Sequence, residues 1–113
     1  MTIEEKKLLT DIIVCILSID QHLKGRRVFE EYVRNKTKRR AVERELEIIG
    51  EAINKLLRIN PAINISYARQ IVDLRNKVIH AYDNVNDIVV WSVIMNYLPT
   101  LKSEVDILMQ DNK

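Results

Sequence analysis

Three residues in the stretch "DLRNKVIHAYDNVND", residues 73–87, could do chemistry together: Arg75, His80 five positions later, and Tyr82. A guanidinium stays charged and presents a planar fork of donors suited to a phosphate. An imidazole titrates near neutral pH and can take or give a proton. These are the parts needed to cleave RNA without a metal. The imidazole removes the proton of a ribose 2′-hydroxyl or protonates the leaving 5′-oxygen, and the arginine stabilises charge building on phosphorus. The products of that route are a 2′,3′-cyclic phosphate and a 5′-hydroxyl. Asn76 lies four residues before His80, a helical neighbour able to orient the ring.

Other chemistries lack their signatures. There is no glycine-rich phosphate loop, no HExxH, no cysteine–histidine metal spacing and no serine elbow. His22 and His80 are too few and too separated for a metal site, so neither metal nor cofactor is expected. Two quieter readings stand beside the nuclease. In one, Arg75 grips a nucleotide phosphate in a non-catalytic binding module and His80 only hydrogen-bonds. In the other, Arg75 is a structural ion-pair partner, with Glu51 as the candidate carboxylate.

The elements that must position these residues are helical. The sequence has 113 residues, 47% of them apolar, and only two glycines and two prolines, which predicts an all-α protein in one domain spanning 1–113. Five helical segments are expected, packed as an up-down bundle. The first runs from about Ile3 to Leu23, with Leu9, Ile12, Ile13, Ile16 and Leu23 at helical spacing and Gly25 as its stop. A short turn covers "RRVFEEYV". The third runs from about Lys38 to Ile59, capped by Thr37 and ended by Pro61, with the stripe Val42, Leu46, Ile49, Ile53 and Leu56. The fourth spans about Tyr67 to His80 with Ser66 as candidate cap. The fifth starts near Asn86 or Asp87, reaches about Met109 and bends at Pro99.

On the fourth helix Ile71, Val72, Leu74, Val78 and Ile79 define an apolar side, and Arg75 falls about 40° from Ile71 on the helical wheel. Such a guanidinium must reach water, meet a carboxylate or line an anion site. Gly50, in mid-helix, predicts close approach of another helix. Glu51 beside it reads by itself as a surface residue, and as a supporting carboxylate if it enters the site. Arg75 and His80 would lie about 140° apart on an ideal helix. Either the helix unwinds near His80, or two copies bring their fourth helices together in one cleft. A dimer would also cover the apolar strip around Ile71 and Val78.

The net charge is a modest +2, but Lys24, Arg26, Arg27, Arg34, Lys36, Lys38, Arg39 and Arg40 crowd one region. Arg34, Lys36, Lys38, Arg39 and Arg40 are candidates for RNA contacts, with a partner surface or a solvated face as alternatives. The single cysteine, Cys15, excludes an internal disulfide and reads as a small buried hydrophobe. The most apolar run, "LLTDIIVCILSID", is short of the ~20 residues a membrane span needs. The start "MTIEEKK" lacks the form of a signal peptide, and a cytoplasmic location is expected.

The segment "RNKVIHAY" is an R-x4-H-x-Y motif, and the sequence around it resembles HepT-type HEPN ribonuclease toxins. "RAVERELEIIGEAINKL", with its Gly-Glu-Ala step, is similar to the family's long helix, and "VVWSVIMNYLPTL" to the helix after the motif. The resemblance covers about Val28 to Leu108. It implies an all-α HEPN bundle, a homodimer with a composite cleft, and metal-independent endoribonuclease activity with Arg75 and His80 catalytic and Asn76 supporting. It also implies a type VII toxin–antitoxin system. The partner there is a minimal nucleotidyltransferase antitoxin that neutralises the toxin by transferring AMP from ATP to the motif tyrosine, here Tyr82. One departure is Tyr67, where the family often has tryptophan before the motif helix. Packing rather than chemistry should feel that change.

Overall fold

The computed structural model describes residues 1–80 and 86–111, the side chain of His80 excepted. Among these residues every regular element is helical, so the all-α expectation holds. Helix α1 is Ile3–Leu23. Thr2 and Glu5 start it with a reciprocal capping box: each side chain accepts the other's backbone N–H at 3.1 Å. It stops where Lys24 and Gly25 turn left-handed, at φ 54° and 69°, and the Gly25 N–H returns to the Asp20 carbonyl at 3.2 Å.

After α2, Phe29–Arg34, the long α3 runs Lys36–Ile59. Its cap is Asn35, whose side chain accepts the Lys38 N–H at 2.9 Å, not Thr37 as the spacing suggested. Thr37 lies inside the first turn. Both residue types can cap, and the one placed where the chain leaves α2 is used. α4 is Ala68–His80. Ser66, expected as its cap, instead donates its hydroxyl to Glu104 at 2.6 Å, tying the start of α4 to the last helix.

The final expected helix is three pieces in continuous succession: α5 at Asp87–Ser92, a π-helical turn at Val93–Tyr97, and α6 at Leu98–Gln110. Asn86 caps α5 by accepting the Ile88 N–H at 2.8 Å. The irregularity expected at Pro99 falls in the turn before it. Proline lacks an N–H and its ring crowds the carbonyl four residues back. Widening the preceding turn, with the Leu98 N–H bonding to Val93, relieves that crowding.

Helix α3 is the centre of the packing. Val42, Leu46, Ile49, Ile53 and Leu56 are all fully buried, facing Leu9, Ile12, Ile16 and Ile19 of α1 on one side and α4 on another. Leu98, Leu101 and Val105 of α6 close the core. Aromatic contacts fix the smaller pieces: Trp91 of α5 packs on Tyr32 of α2, ring centroids 5.3 Å apart. Tyr67 stacks on Tyr97 at 4.3 Å, so the residue that stands for the family's tryptophan does a packing task. Among the described residues no helix is long and apolar enough to cross a membrane.

Candidate active site

Arg75 is positioned by a glycine. A Cβ built on Gly50 would stand 2.3 Å from the Arg75 Cβ and 2.8 Å from its Cγ, so the arginine stem lies directly across α3 where that helix has no side chain. The close approach expected of Gly50 is therefore real, and Arg75 is what approaches. Crossing there carries the guanidinium to the outer edge of α3, where it pairs with Glu51. Its second terminal nitrogen donates to the Asn76 side-chain oxygen at 2.8 Å. The Lys55 ammonium lies 4.0 Å from the other oxygen of Glu51. Arg75 keeps 22% of its side chain exposed and Glu51 36%, so the pair sits at the surface of the crossing rather than beneath it. The Arg75 Nε is buried and has no hydrogen-bond partner among the described residues.

A cavity of about 200 Å³ opens beside the pair, between α1, α3 and α4. Asp11, Arg44, Glu47, Glu51, Lys55 and Arg75 supply its charged lining. Its rim alternates in sign, with Arg44 and Glu47 paired at 3.1 Å. Glu47 and Lys55, four residues to either side of Glu51, were not singled out in the sequence, although that spacing is the available signal.

The pairing of Arg75 with Glu51, one of the alternatives the sequence left open, is present across 24 positions, and it corrects the reading of Glu51 by itself as a surface residue. A second correction concerns the apolar side of α4. Ile71, Leu74 and Val78 are buried inside the protomer, so that strip needs no second copy to cover it. The outward residues are Arg69, Gln70, Asp73, Asn76 and Lys77. α4 stays helical through His80, so the helix does not unwind between arginine and histidine. The side chain of His80, and Tyr82 altogether, lie outside the described residues.

The basic candidates divide. Arg39 is committed: its guanidinium donates to the Val33 carbonyl and lies 3.9 Å from Asp87, joining α3 to the first residue of α5. Arg34, Lys36 and Arg40 are exposed and Lys38 half-exposed. Arg26 and Arg27 are paired with Glu31 and Asp20. The hydrogen bonds from Arg26 hold the Glu31 carboxyl below its ordinary range, with Lys38 and Arg34 adding to the effect. Near Asp87, burial pushes Glu43 up, Asp87 adding to it and Arg40 and Arg39 opposing. Among the described residues no group of three His, Cys, Asp or Glu side chains could hold a metal ion.

An all-α bundle whose fourth helix carries Arg75 and His80 of an R-x4-H-x-Y motif defines a HEPN-type protein. Residues 12–108 match the family described as Ribonuclease HepT-like, and the chain belongs to that family. A protein of Methanocaldococcus jannaschii, provisionally named an RNase, is 39% identical over 83 residues, covering 71% of this chain and 74% of that one. Another provisionally named RNase, from Caldanaerobacter subterraneus, is 34% identical over 86 residues, 75% of this chain and 77% of its own. A protein of Thermococcus cleftensis, described as "Probable ribonuclease HepT", is 38% identical over 80 residues, 67% of this chain and 70% of its own. No solved structure matches.

Proposed function

We propose that this chain is a metal-independent endoribonuclease working as a homodimer, and the toxin of a HEPN/nucleotidyltransferase pair. One observation carries the dimer: α4 runs as unbroken helix through His80. Arg75 and His80 of one copy are then about 140° apart around the axis and about 7–8 Å apart along it. A single flat site cannot use both, whereas a two-fold contact of fourth helices brings the arginine of one copy near the histidine of the other.

In that cleft His80 moves the proton of the 2′-hydroxyl or of the leaving 5′-oxygen, and Arg75 holds the phosphate. A guanidinium has five N–H donors, and Glu51 and Asn76 engage one each, so donors remain for a phosphate without breaking the pair. Glu51 is thus a positioning residue. Inhibition by the partner follows if the Tyr82 phenol oxygen attacks the α-phosphorus of ATP, loses its proton and releases pyrophosphate. The adenylate adds bulk and negative charge beside the arginine's phosphate site.

The Glu51–Arg75 pair favours one rival, in which the arginine is structural only. The deciding experiment compares wild type and His80→Ala on total RNA in EDTA, after mass spectrometry has verified an unmodified Tyr82. Cleavage by the wild type alone, leaving cyclic phosphate ends, establishes the nuclease. No cleavage by the verified dimer leaves the structural or nucleotide-binding reading.

A further inference from the structure

Eight of the 17 Lys and Arg side chains among the described residues have a carboxylate within 4 Å: Lys7, Arg26, Arg27, Arg39, Arg44, Lys55, Arg75 and Lys102. Arg34, Lys36, Lys38 and Arg40 have none among the described residues, and they lie within seven positions of one another around the start of α3. This is a costly place for them. The first turn of α3 has no acidic residue, as in α4 and α6, and unlike α1, α2 and α5. Cations at that end oppose the helix dipole.

Their arrangement along α3 is directional. Lys36, Arg40 and Arg44 stand four residues apart, so they step along one face of the helix at about 6 Å intervals. The same face continues through Glu47 to Glu51, about 10 Å beyond Arg44 along the axis. There the Arg75 guanidinium, carried over Gly50, is held. Among the described residues Arg44 pairs only with Glu47, at 3.1 Å and with 65% of its side chain exposed, a contact a phosphate can exchange at little cost. Repeated cations on one ridge, ending at the arginine that would hold the scissile phosphate, complement a polyanionic strand better than a folded protein surface.

We infer that Lys36, Arg40 and Arg44, flanked by Arg34 and Lys38, form a rail along which the sugar–phosphate backbone of a single-stranded RNA approaches Arg75. This rests on the ribonuclease reading. The rail binds backbone and not bases, so it contributes affinity without sequence preference. It also sets a length requirement: a good substrate extends several nucleotides to one side of the bond cut. Arg39, fixed between Val33 and Asp87, is not part of it.

The test uses the full chain and a labelled single-stranded RNA, with binding followed by anisotropy across a salt series. Lys36→Gln, Arg40→Gln and Arg44→Gln are combined; all three are solvent-facing helix positions, and glutamine keeps the helix propensity. Loss of three phosphate contacts should flatten the slope of log K against log salt by about 2 and weaken binding at low salt at least tenfold. The control variant Lys6→Gln, Arg58→Gln, Lys102→Gln removes as much charge elsewhere and should keep the wild-type slope. In cleavage assays the double variant Lys36→Gln, Arg40→Gln, which spares the cavity-lining Arg44, should raise KM for long RNA and leave turnover of a dinucleotide unchanged. A slope and KM equal to wild type would overturn the rail, as would unaltered RNA binding with loss of the nucleotidyltransferase partner. Wild-type protein that binds RNA through the ridge but cuts none would keep the rail and defeat the nuclease reading.

Discussion

Gly50 and Arg75 form a helix crossing with no room between them: a Cβ on the glycine would stand 2.3 Å from the arginine's own Cβ. The absence of one methyl group on α3 is what lets α4 deliver a guanidinium to Glu51.

Gly50→Ala should therefore act in two opposed ways. Alanine gains about 1 kcal/mol of intrinsic helix propensity. The clash is with a stem carbon next to the α4 backbone, so the helices must separate, at a cost of about 1–3 kcal/mol. A net loss of about 1–2 kcal/mol is expected in denaturant unfolding, together with reduced RNA cleavage. Unchanged cleavage would mean that the seat of Arg75 is irrelevant to function.

Arg75→Lys separates charge from geometry. The lysine stem still packs on Gly50 and its ammonium can still reach Glu51, so the melting temperature should change little. A point charge cannot reproduce the planar fork. Cleavage should fall by about 10²–10³, the usual effect of losing one donor to a developing charge. An active lysine variant would leave the arginine a purely structural role.

Glu43 gives a pH prediction. Burial holds its folded-state pKa above the ordinary 4.5, so the folded protein binds a proton that the unfolded chain has lost. Stability from this group is fully present below about 4.5 and decreases as pH rises through the raised folded value. Glu43→Gln should therefore raise the melting temperature at neutral pH, and the gain should shrink toward zero as the pH is lowered to the ordinary glutamate value. A gain that persists in acid would point to a cause other than titration.

Cys15 is buried on the inner side of α1, and desolvation pushes its thiol up to about 12. Treated with a disulfide reagent at pH 8, the folded protein should react only at the rate of its unfolding, and at once in denaturant. Rapid labelling of folded protein would show that α1 opens locally.

Much of this architecture was legible beforehand because it depends on near neighbours in the chain. The stripe Val42, Leu46, Ile49, Ile53 and Leu56 named its own core, and the end of α1 followed from Gly25 and the last periodic leucine. Where two cap residues competed, at Asn35 and Thr37, the choice was made by the turn out of α2, which no local pattern encodes. The site was legible only in part. The wheel correctly set Arg75 on the packed side of α4, and Glu51, named as its candidate carboxylate, is the one it meets. But a wheel describes one helix and could not decide between that pairing and a free surface position for Glu51. The same limit produced the wrong reason for a dimer: Ile71 and Val78 are buried within the protomer, where α4 packs on α3, and need no second copy to cover them. Arg39 looked like its basic neighbours until the fold brought Asp87 to it.

The π turn at Val93–Tyr97 bears on how this chain can vary in length. A π turn is an α-helix that has absorbed one surplus residue. Deleting a residue there would restore ordinary helix and leave the orientation of α6 unchanged, whereas the same deletion in α3 would rotate everything beyond it by about 100°. Pro99 restricts this freedom. Without the wide turn before it, the proline ring would again meet a helical carbonyl, at about 3 kcal/mol. The surplus residue and the proline are therefore a matched pair, to be lost together or kept together.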